Sequence, residues 1–91
     1  MDNTQRFTLN QDYKVEQFED EILLYAVTTG KGVYLNETAC LVWEMCGKGL
    51  AVGEMIALVT EAYPEQQAVI PKDISTAIQM LLANGIVYPA P

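Results

Sequence analysis

The sequence predicts one small α+β domain in which a three-stranded antiparallel meander precedes three helices. Strand-like segments occupy the first third of the chain, and helical periodicity fills most of the remainder. With 91 residues, 51% of them apolar, the chain can bury one modest core. No repeat or long linker divides it. We therefore expect a domain over residues 13–88, preceded by a flexible arm at residues 1–12 and followed by a tail at residues 89–91.

Three segments have the pattern of strands. Residues 13–18, YKVEQF, alternate between apolar and polar side chains, as a half-buried strand does. Residues 22–27, ILLYAV, form a β-rich run that is typical of a better-covered central strand. After the glycine-containing turn TTGKG, residues 33–36, VYLN, form a short third strand. Because only short turns separate the segments, they predict an antiparallel meander.

The first helix is predicted to begin after Asn36, a preferred N-cap residue, and Glu37 complements the positive end of its dipole. Its side chains are apolar on nearly all sides up to Cys46, so the helix should be largely buried. Gly47 is a suitable terminator. Three side chains of this helix are expected in the core: Leu41, Val42 and Trp43.

Two further helices follow in the sequence. Residues 53–63 repeat apolar side chains at helical spacing, and Pro64 ends that helix. The third helix should run from Pro71 to Asn84, before Gly85. Its apolar stripe consists of Ile74, Ala77, Ile78, Leu81 and Leu82. Together with the meander, these helices predict a domain of the winged-helix type.

The charge of the chain excludes several classes of partner. Twelve acidic and five basic residues give a formal charge of -7. Nucleic acids and anionic membranes bind clustered bases, whereas the bases here are scattered singly. No apolar stretch approaches the ~18 residues that span a bilayer, and the N-terminus has no signal-peptide pattern. We therefore expect a cytoplasmic protein that binds neither nucleic acid nor membrane.

The sequence offers little chemistry of its own. It contains no histidine, the commonest general base and transition-metal ligand, and it has no nucleophile elbow or phosphate-binding loop. The acidic residues around the first hairpin are typical of a solvated surface. These are Glu16, Glu19, Asp20 and Glu21. We predict no catalytic residue, no metal site and no cofactor, which leaves binding as the function.

The third predicted strand lies at an edge of the sheet, where backbone N–H and C=O groups lack partners. The segment KGVYLN contains no proline that would block this edge. An extended peptide could pair with it, and the third helix could form the second wall of a groove. The alternative is that the apolar residues of both elements serve the core alone, namely Val33, Leu35, Ile74, Ile78 and Leu81.

Several motifs in order resemble one family. They are the strand ending in Leu35 and Asn36 before a helix that contains Trp43, a glutamate early in the second helix, an acidic residue opening the third, and a closing Leu-Leu-x-x-Gly. This arrangement, over residues 13–88, is similar to the pyrroloquinoline-quinone biosynthesis protein D family. The wider membership of this PqqD-like family is called RiPP recognition elements, after ribosomally synthesised and post-translationally modified peptides.

The resemblance implies a peptide-binding module that holds the leader segment of a precursor peptide as an added strand and presents its core segment to a modifying enzyme. Carried over by position, the strand role falls on Lys31, Gly32, Val33, Tyr34 and Leu35. The helix wall falls on Asp73, Ile74, Ala77, Ile78 and Leu81. Lys31 and Lys72 could meet leader carboxylates at the ends of the groove. Tyr34 is the strongest functional candidate, since alternation places it opposite Val33 and Leu35.

The implied partners are a leader peptide and an enzyme such as a radical enzyme, a cyclase or a leader peptidase. Asn36 stands where members acting on the quinone precursor often have Asp, so the chain looks more like standalone recognition proteins, including those of lasso peptides. An enzyme could dock on the acidic first hairpin. The open strand edge is compatible with a monomer or a weak homodimer.

The alternative function is that of a winged-helix DNA-binding regulator, which uses the same order of elements. Its recognition helix would need bases and amides at the positions that contact DNA. The third helix offers only Lys72, Gln79 and Asn84. The link before it is also longer than the three or four residues of a helix-turn-helix.

Overall fold

The computed structural model describes residues 2–91 and has the predicted order of a meander followed by three helices. The strands are β1 (Phe7–Leu9), β2 (Tyr13–Phe18), β3 (Glu21–Ala26), β4 (Gly32–Leu35) and β5 (Val87–Pro89). The helices are α1 (Glu37–Gly47), α2 (Val52–Ala62) and α3 (Ile70–Ala83), with a short 3-10 helix at Pro64–Gln66. The α+β winged-helix-type architecture is therefore confirmed.

The meander is a three-stranded antiparallel sheet in the order β2-β3-β4. In its register Val15 faces Leu24, and Leu24 faces Val33. Alternation then sends Leu24 and Leu35 towards the helices, where both are buried, and sends Leu23 and Tyr34 to the outer face. Edge strand β4 pairs on one side with β3, and the chain passes directly from Leu35 through Asn36 into α1.

A second, two-stranded sheet joins the ends of the chain. The prediction of a flexible arm is wrong for Phe7–Leu9, which form β1 and pair antiparallel with β5. Phe7 is buried, and the backbone N–H of Ala90 donates to the carbonyl oxygen of Arg6. The strand escaped prediction because three residues are too few to show a period and the partner strand lies at the other end of the chain.

The N-terminal segment also contacts the start of α2. The Glu54 carboxylate accepts a hydrogen bond from the Ala51 N–H at 2.8 Å and forms a 3.0 Å ion pair with Arg6. The Ala51 N–H and the charge of Arg6 together lower the pKa of Glu54. Residues 2–10 thus belong to the folded domain.

The helix boundaries follow mostly from the predicted signals. The Asn36 side chain accepts from the Ala39 N–H at 2.8 Å, which confirms it as the N-cap of α1. The expected terminator was wrong: α1 includes Gly47, and Gly49 takes the left-handed conformation with φ of 78°. Helix α3 ends before Gly85, whose φ is 69°. No helix within residues 2–91 is long and apolar enough to cross a membrane.

The core lies between the inner face of the meander and the three helices. The sheet and all three helices contribute fully buried large side chains, which include Leu24, Val42, Met55, Ile78, Leu81 and Ile86. Trp43 is only half-buried and packs against the edge of this core. The core assignment of Leu41 was wrong, because its side chain is 39% exposed. Helix α1 is therefore buried on a narrower face than its apolar sequence predicted.

We expect Phe7→Ala to lower the free energy of unfolding by about 3 kcal/mol, because the change removes a buried aromatic ring and leaves a cavity. Urea unfolding followed by circular dichroism measures the effect. Thr8→Val is the matched control, since Thr8 is an exposed residue of the same strand, and it should change stability by no more than about 0.5 kcal/mol. Equal stability of Phe7→Ala and the parent protein would contradict the pairing of β1 with β5.

Candidate functional site

The free edge of β4 presents a row of backbone hydrogen-bonding groups. The Ala26 N–H donates to the Lys31 carbonyl at 2.8 Å, so Ala26 and Lys31 are a hydrogen-bonded pair of the β3–β4 ladder. Since bonded and non-bonded pairs alternate in an antiparallel ladder, Val33 and Leu35 bond to β3. The N–H and C=O groups of Gly32 and Tyr34 therefore point away from β3, towards the open side.

Nothing in the described part of the chain covers these groups. Within residues 2–91, neither Gly32 nor Tyr34 forms a backbone hydrogen bond outside the sheet ladder. The C-terminal strand, which could have paired there, pairs with β1 instead. A row of unpaired groups on an exposed edge can accept another strand.

Gly32 has a role within the sheet itself. A Cβ atom at this position would come to 3.1 Å from Cδ1 of Leu23, which is tighter than an ordinary van der Waals contact. The glycine thus makes room for Leu23 on the outer face of the sheet. The same lack of a side chain keeps the outward backbone groups of Gly32 accessible.

The exposure of the candidate strand residues follows the alternation of side chains between the inner and outer faces of the sheet. Lys31 and Gly32 are exposed, Val33 is half-buried, and Leu35 is buried. The side chain of Tyr34 is 65% exposed on the outer face. Gly32 and Tyr34 therefore offer backbone groups at the edge, while the side chains of Val33 and Leu35 pack towards the core. The ring of Tyr34 lies in solvent.

The candidate residues of the third helix also include both buried and exposed side chains. Ile74, Ile78 and Leu81 are almost wholly buried in the core, so their side chains are not available to a ligand. Ala77 is buried but borders the surface, while Lys72 and Asp73 are exposed. Lys72 and Lys31 form no ion pair within residues 2–91. Most of the predicted apolar wall thus belongs to the core.

A depression of about 380 Å³ lies between the start of α1 and the exposed side of α3. We call it the groove. Its lining residues are Asn36, Thr38, Ala39, Asp73, Thr76, Ala77 and Met80. Of these, only Asp73 and Ala77 were predicted as site residues. The signal for Thr76 and Met80 was the helical spacing of Asp73, Thr76, Ala77 and Met80, which share one side of α3 next to the buried stripe. No signal in the sequence indicated the three residues at the start of α1.

The groove has a lining that suits an extended peptide. Its lining combines small apolar surfaces with hydroxyl and amide groups and one carboxylate. No cluster of three or more His, Cys, Asp or Glu residues in the described region could hold a metal ion. Backbone donors and acceptors on one wall and a shallow apolar surface on the other are what strand addition requires.

Helix α3 is poorly equipped for reading DNA. The Asn84 amide already donates to the Met80 carbonyl at 2.9 Å at the end of the helix. Lys72 is the one basic residue of α3, and Asp73 stands beside it. The geometry therefore gives the DNA-binding alternative no support.

Comparisons with known proteins agree with this geometry. A family model described as coenzyme PQQ synthesis protein D matches residues 21–87. Among curated proteins, no sequence matches the chain. The structure of a lasso peptide synthetase B1 complexed with the leader peptide is similar with a TM-score of 0.78 and 24% identity, over 92% of this chain and 99% of that one.

A second solved structure, TbiB1 in complex with the TbiA(beta) leader peptide, has a TM-score of 0.75 and 14% identity, over 92% of this chain and 98% of that one. At these identities the two likenesses establish a shared fold. The shared fold extends over nearly the whole length of all three chains.

Proposed function

The chain belongs to the family of coenzyme PQQ synthesis protein D, and on that premise we propose that it binds the leader segment of a ribosomally made precursor peptide as a strand added to β4. The observation that carries the proposal is the free edge of β4 beside the groove. Both similar solved structures are complexes with leader peptides, which supports a peptide as the occupant.

The backbone of β4 supplies affinity that does not depend on the peptide's sequence. Gly32 and Tyr34 each offer one N–H donor and one C=O acceptor, so an added strand can form four main-chain hydrogen bonds with them. Each such bond contributes about 0.5–1.5 kcal/mol net. These bonds alone do not discriminate among peptides, because every peptide has a backbone.

The groove supplies the selectivity. In an added strand, alternate side chains point inwards, towards α3 and the start of α1. Ala77 leaves space for an incoming side chain, and the flexible, half-buried Met80 can adapt its shape to it. An interface of this kind buries less than ~1,200 Å², so two or three apolar anchors of the peptide determine the affinity.

We propose that the protein acts in the cytoplasm as an adaptor without turnover of its own. It holds the leader so that a radical enzyme, a cyclase or a leader peptidase can modify or release the core segment. A second copy of the chain pairing through β4 would occupy the edge that the leader needs, so the monomer is the binding form. The enzyme docks on the acidic first hairpin, which carries Glu19, Asp20 and Glu21 next to the exposed ring of Phe18.

We expect Tyr34→Pro to abolish leader binding in isothermal titration with the cognate leader peptide. Proline replaces the outward N–H of residue 34 with a ring carbon that projects into the space of the added strand, yet it leaves the bonds of Val33 and Leu35 to β3 in place. Tyr34→Val is the matched control, because it removes the ring and keeps the backbone donor, and it should retain most of the affinity. Val33→Pro should also abolish binding, because it breaks the β3–β4 ladder itself. Unchanged binding by a folded Tyr34→Pro protein would reject the groove assignment.

The docking of the enzyme is tested by reversing the charges of the hairpin. The triple variant Glu19→Lys, Asp20→Lys and Glu21→Lys should lose capture of the modifying enzyme encoded beside the gene while it still binds the leader. A control with the same change in net charge reverses Glu44, Glu61 and Glu65, which are exposed on the helical side. Undiminished enzyme capture by the hairpin variant would reject this docking surface.

A further inference from the structure

Gly32 leaves a gap on the outer face of the meander, beside the free edge of β4. A Cβ atom at this position would lie 3.1 Å from Cδ1 of Leu23 and 3.9 Å from the carbonyl oxygen of Leu24. Apart from the glycine's own chain neighbours, no further atom within residues 2–91 comes within 4 Å of that position. The gap therefore has a leucine methyl group at its floor and is open to solvent. We call it the outer recess.

Tyr25 borders the outer recess on the side away from the edge. It pairs with Gly32 in the register of β3 and β4. Because Ala26 and Lys31 are a hydrogen-bonded pair, Tyr25 and Gly32 are a non-hydrogen-bonded pair, in which Cα atoms lie about 4.5 Å apart and side chains come closest. Since glycine has no side chain, none lies directly opposite the Tyr25 ring on β4. The ring is accordingly only half-buried, although it belongs to the central strand.

A strand added to β4 places one of its side chains over the outer recess. The outward N–H and C=O groups of Gly32 pair with a single residue of an antiparallel peptide, and the Cα atoms of such a bonded pair lie about 5.5 Å apart. The side chain of that residue points to the outer face, on the same side as Tyr25. Its Cα lies about 10 Å from that of Tyr25, with only the glycine between them. Two rings that lean across the glycine can reach the centroid separation of aromatic pairs, about 4.5–7 Å.

The chemistry of the outer recess favours an aromatic occupant. A glycine within a strand weakens the sheet, because it has no side chain to pack, and an aromatic residue on the neighbouring strand compensates by covering the bare backbone. Here the covering ring would also contact Cδ1 of Leu23 and the ring of Tyr25. A small or charged side chain would leave these apolar groups in water, whereas an aromatic ring buries them.

We infer that the leader residue that pairs with Gly32 is aromatic, and that its ring lies across the glycine against Leu23 and Tyr25. The inference rests on the proposed function and specifies the class of leader. It gives the outer face of the sheet a share in the selectivity, in addition to the groove on the inner side. Because inward and outward side chains alternate along a strand, this aromatic residue directly adjoins a groove-facing residue in the leader sequence.

The test begins with a selection that needs no known leader. A library of random 20-residue peptides, each linked to its own coding nucleic acid, is first depleted on the Tyr34→Pro protein, which removes peptides that bind away from the β4 edge. The remainder is then enriched on the immobilised full chain. The selected peptides should share an aromatic residue next to an apolar one. A second selection on the Gly32→Ala protein should keep the apolar residue and lose the aromatic one. An identical consensus from both proteins would overturn the inference.

Gly32→Ala is suited to this test because it fills the outer recess and keeps the backbone groups of the edge. Gly32 lies outside the left-handed region, and the contact at 3.1 Å is with the end of a flexible side chain. Gly47→Ala is the matched control. It also introduces a Cβ against a leucine methyl group, 3.0 Å from Cδ1 of Leu9, but at the far end of α1. It should leave peptide binding unchanged.

Fluorescence polarisation with one selected peptide then measures the contact itself. Replacing the aromatic residue of the peptide with alanine should weaken binding to the parent protein about two- to tenfold, as expected for loss of an aromatic pair. The same replacement should have less than a twofold effect with the Gly32→Ala protein and with the Tyr25→Val protein, because each has already lost the contact. A loss of equal size with all three proteins would contradict a ring placed across Gly32.

Tyr88→Val is the matched control for Tyr25→Val, because it removes a strand tyrosine from the other sheet. With this protein the peptide replacement should cost as much as with the parent. Thermal unfolding of each variant verifies that the fold is intact.

The results separate this inference from the proposed function. If depletion on the Tyr34→Pro protein leaves no peptide that binds the parent protein, strand addition is refuted, and the proposed function with it. If peptides remain but bind the Gly32→Ala and Tyr25→Val proteins as tightly as the parent, strand addition stands and the role of the outer recess is refuted.

Discussion

The pairing of β1 with β5 determines what the rest of the molecule can do. Strand β5 (Val87–Pro89) is the one strand after the helices in the described chain, and a strand of the same molecule could compete for an open sheet edge. Burial of Phe7 and Val87 holds β5 against β1 instead, in a sheet separate from the one that contains β4. The backbone groups of Gly32 and Tyr34 thus remain without an internal partner among residues 2–91.

Affinity and selectivity come from different parts of the molecule. The β4 edge offers main-chain hydrogen bonds that any extended peptide can satisfy, whereas the groove favours particular side chains. Helix α3 serves both the core and the groove: Ile74, Ile78 and Leu81 fix its position in the core. The adjacent line of residues, which includes Ala77 and Met80, forms the wall of the groove.

The sequence predicted the elements that carry a local signal. Residues 13–18 alternate in polarity and form β2 as expected, and the preference of Asn36 for the N-cap position placed the start of α1. Contacts between distant residues left no such signal. Strand β1 has three residues and pairs with the opposite end of the chain, so its partner could not be inferred from periodicity.

The candidate site shows the same limit. The edge strand was predictable from the order of the elements. The helix wall was not, because an apolar stripe identifies the face that is buried and not the face beside it. Ile78 and Leu81 were therefore assigned to the groove, and Thr76 and Met80 were missed. Leu41 was assigned to the core because α1 is apolar all round, and only the packing of α2 and α3 shows which side stays open.

The most direct test of the account is amide hydrogen exchange at β4, measured residue by residue by NMR with and without saturating leader peptide. The amides of Val33 and Leu35, which bond to β3, should be protected in both states. The amides of Gly32 and Tyr34 should exchange rapidly in the free protein and become protected when the peptide binds. Protection of Gly32 and Tyr34 in the free protein, or no change on saturation, would contradict strand addition at this edge.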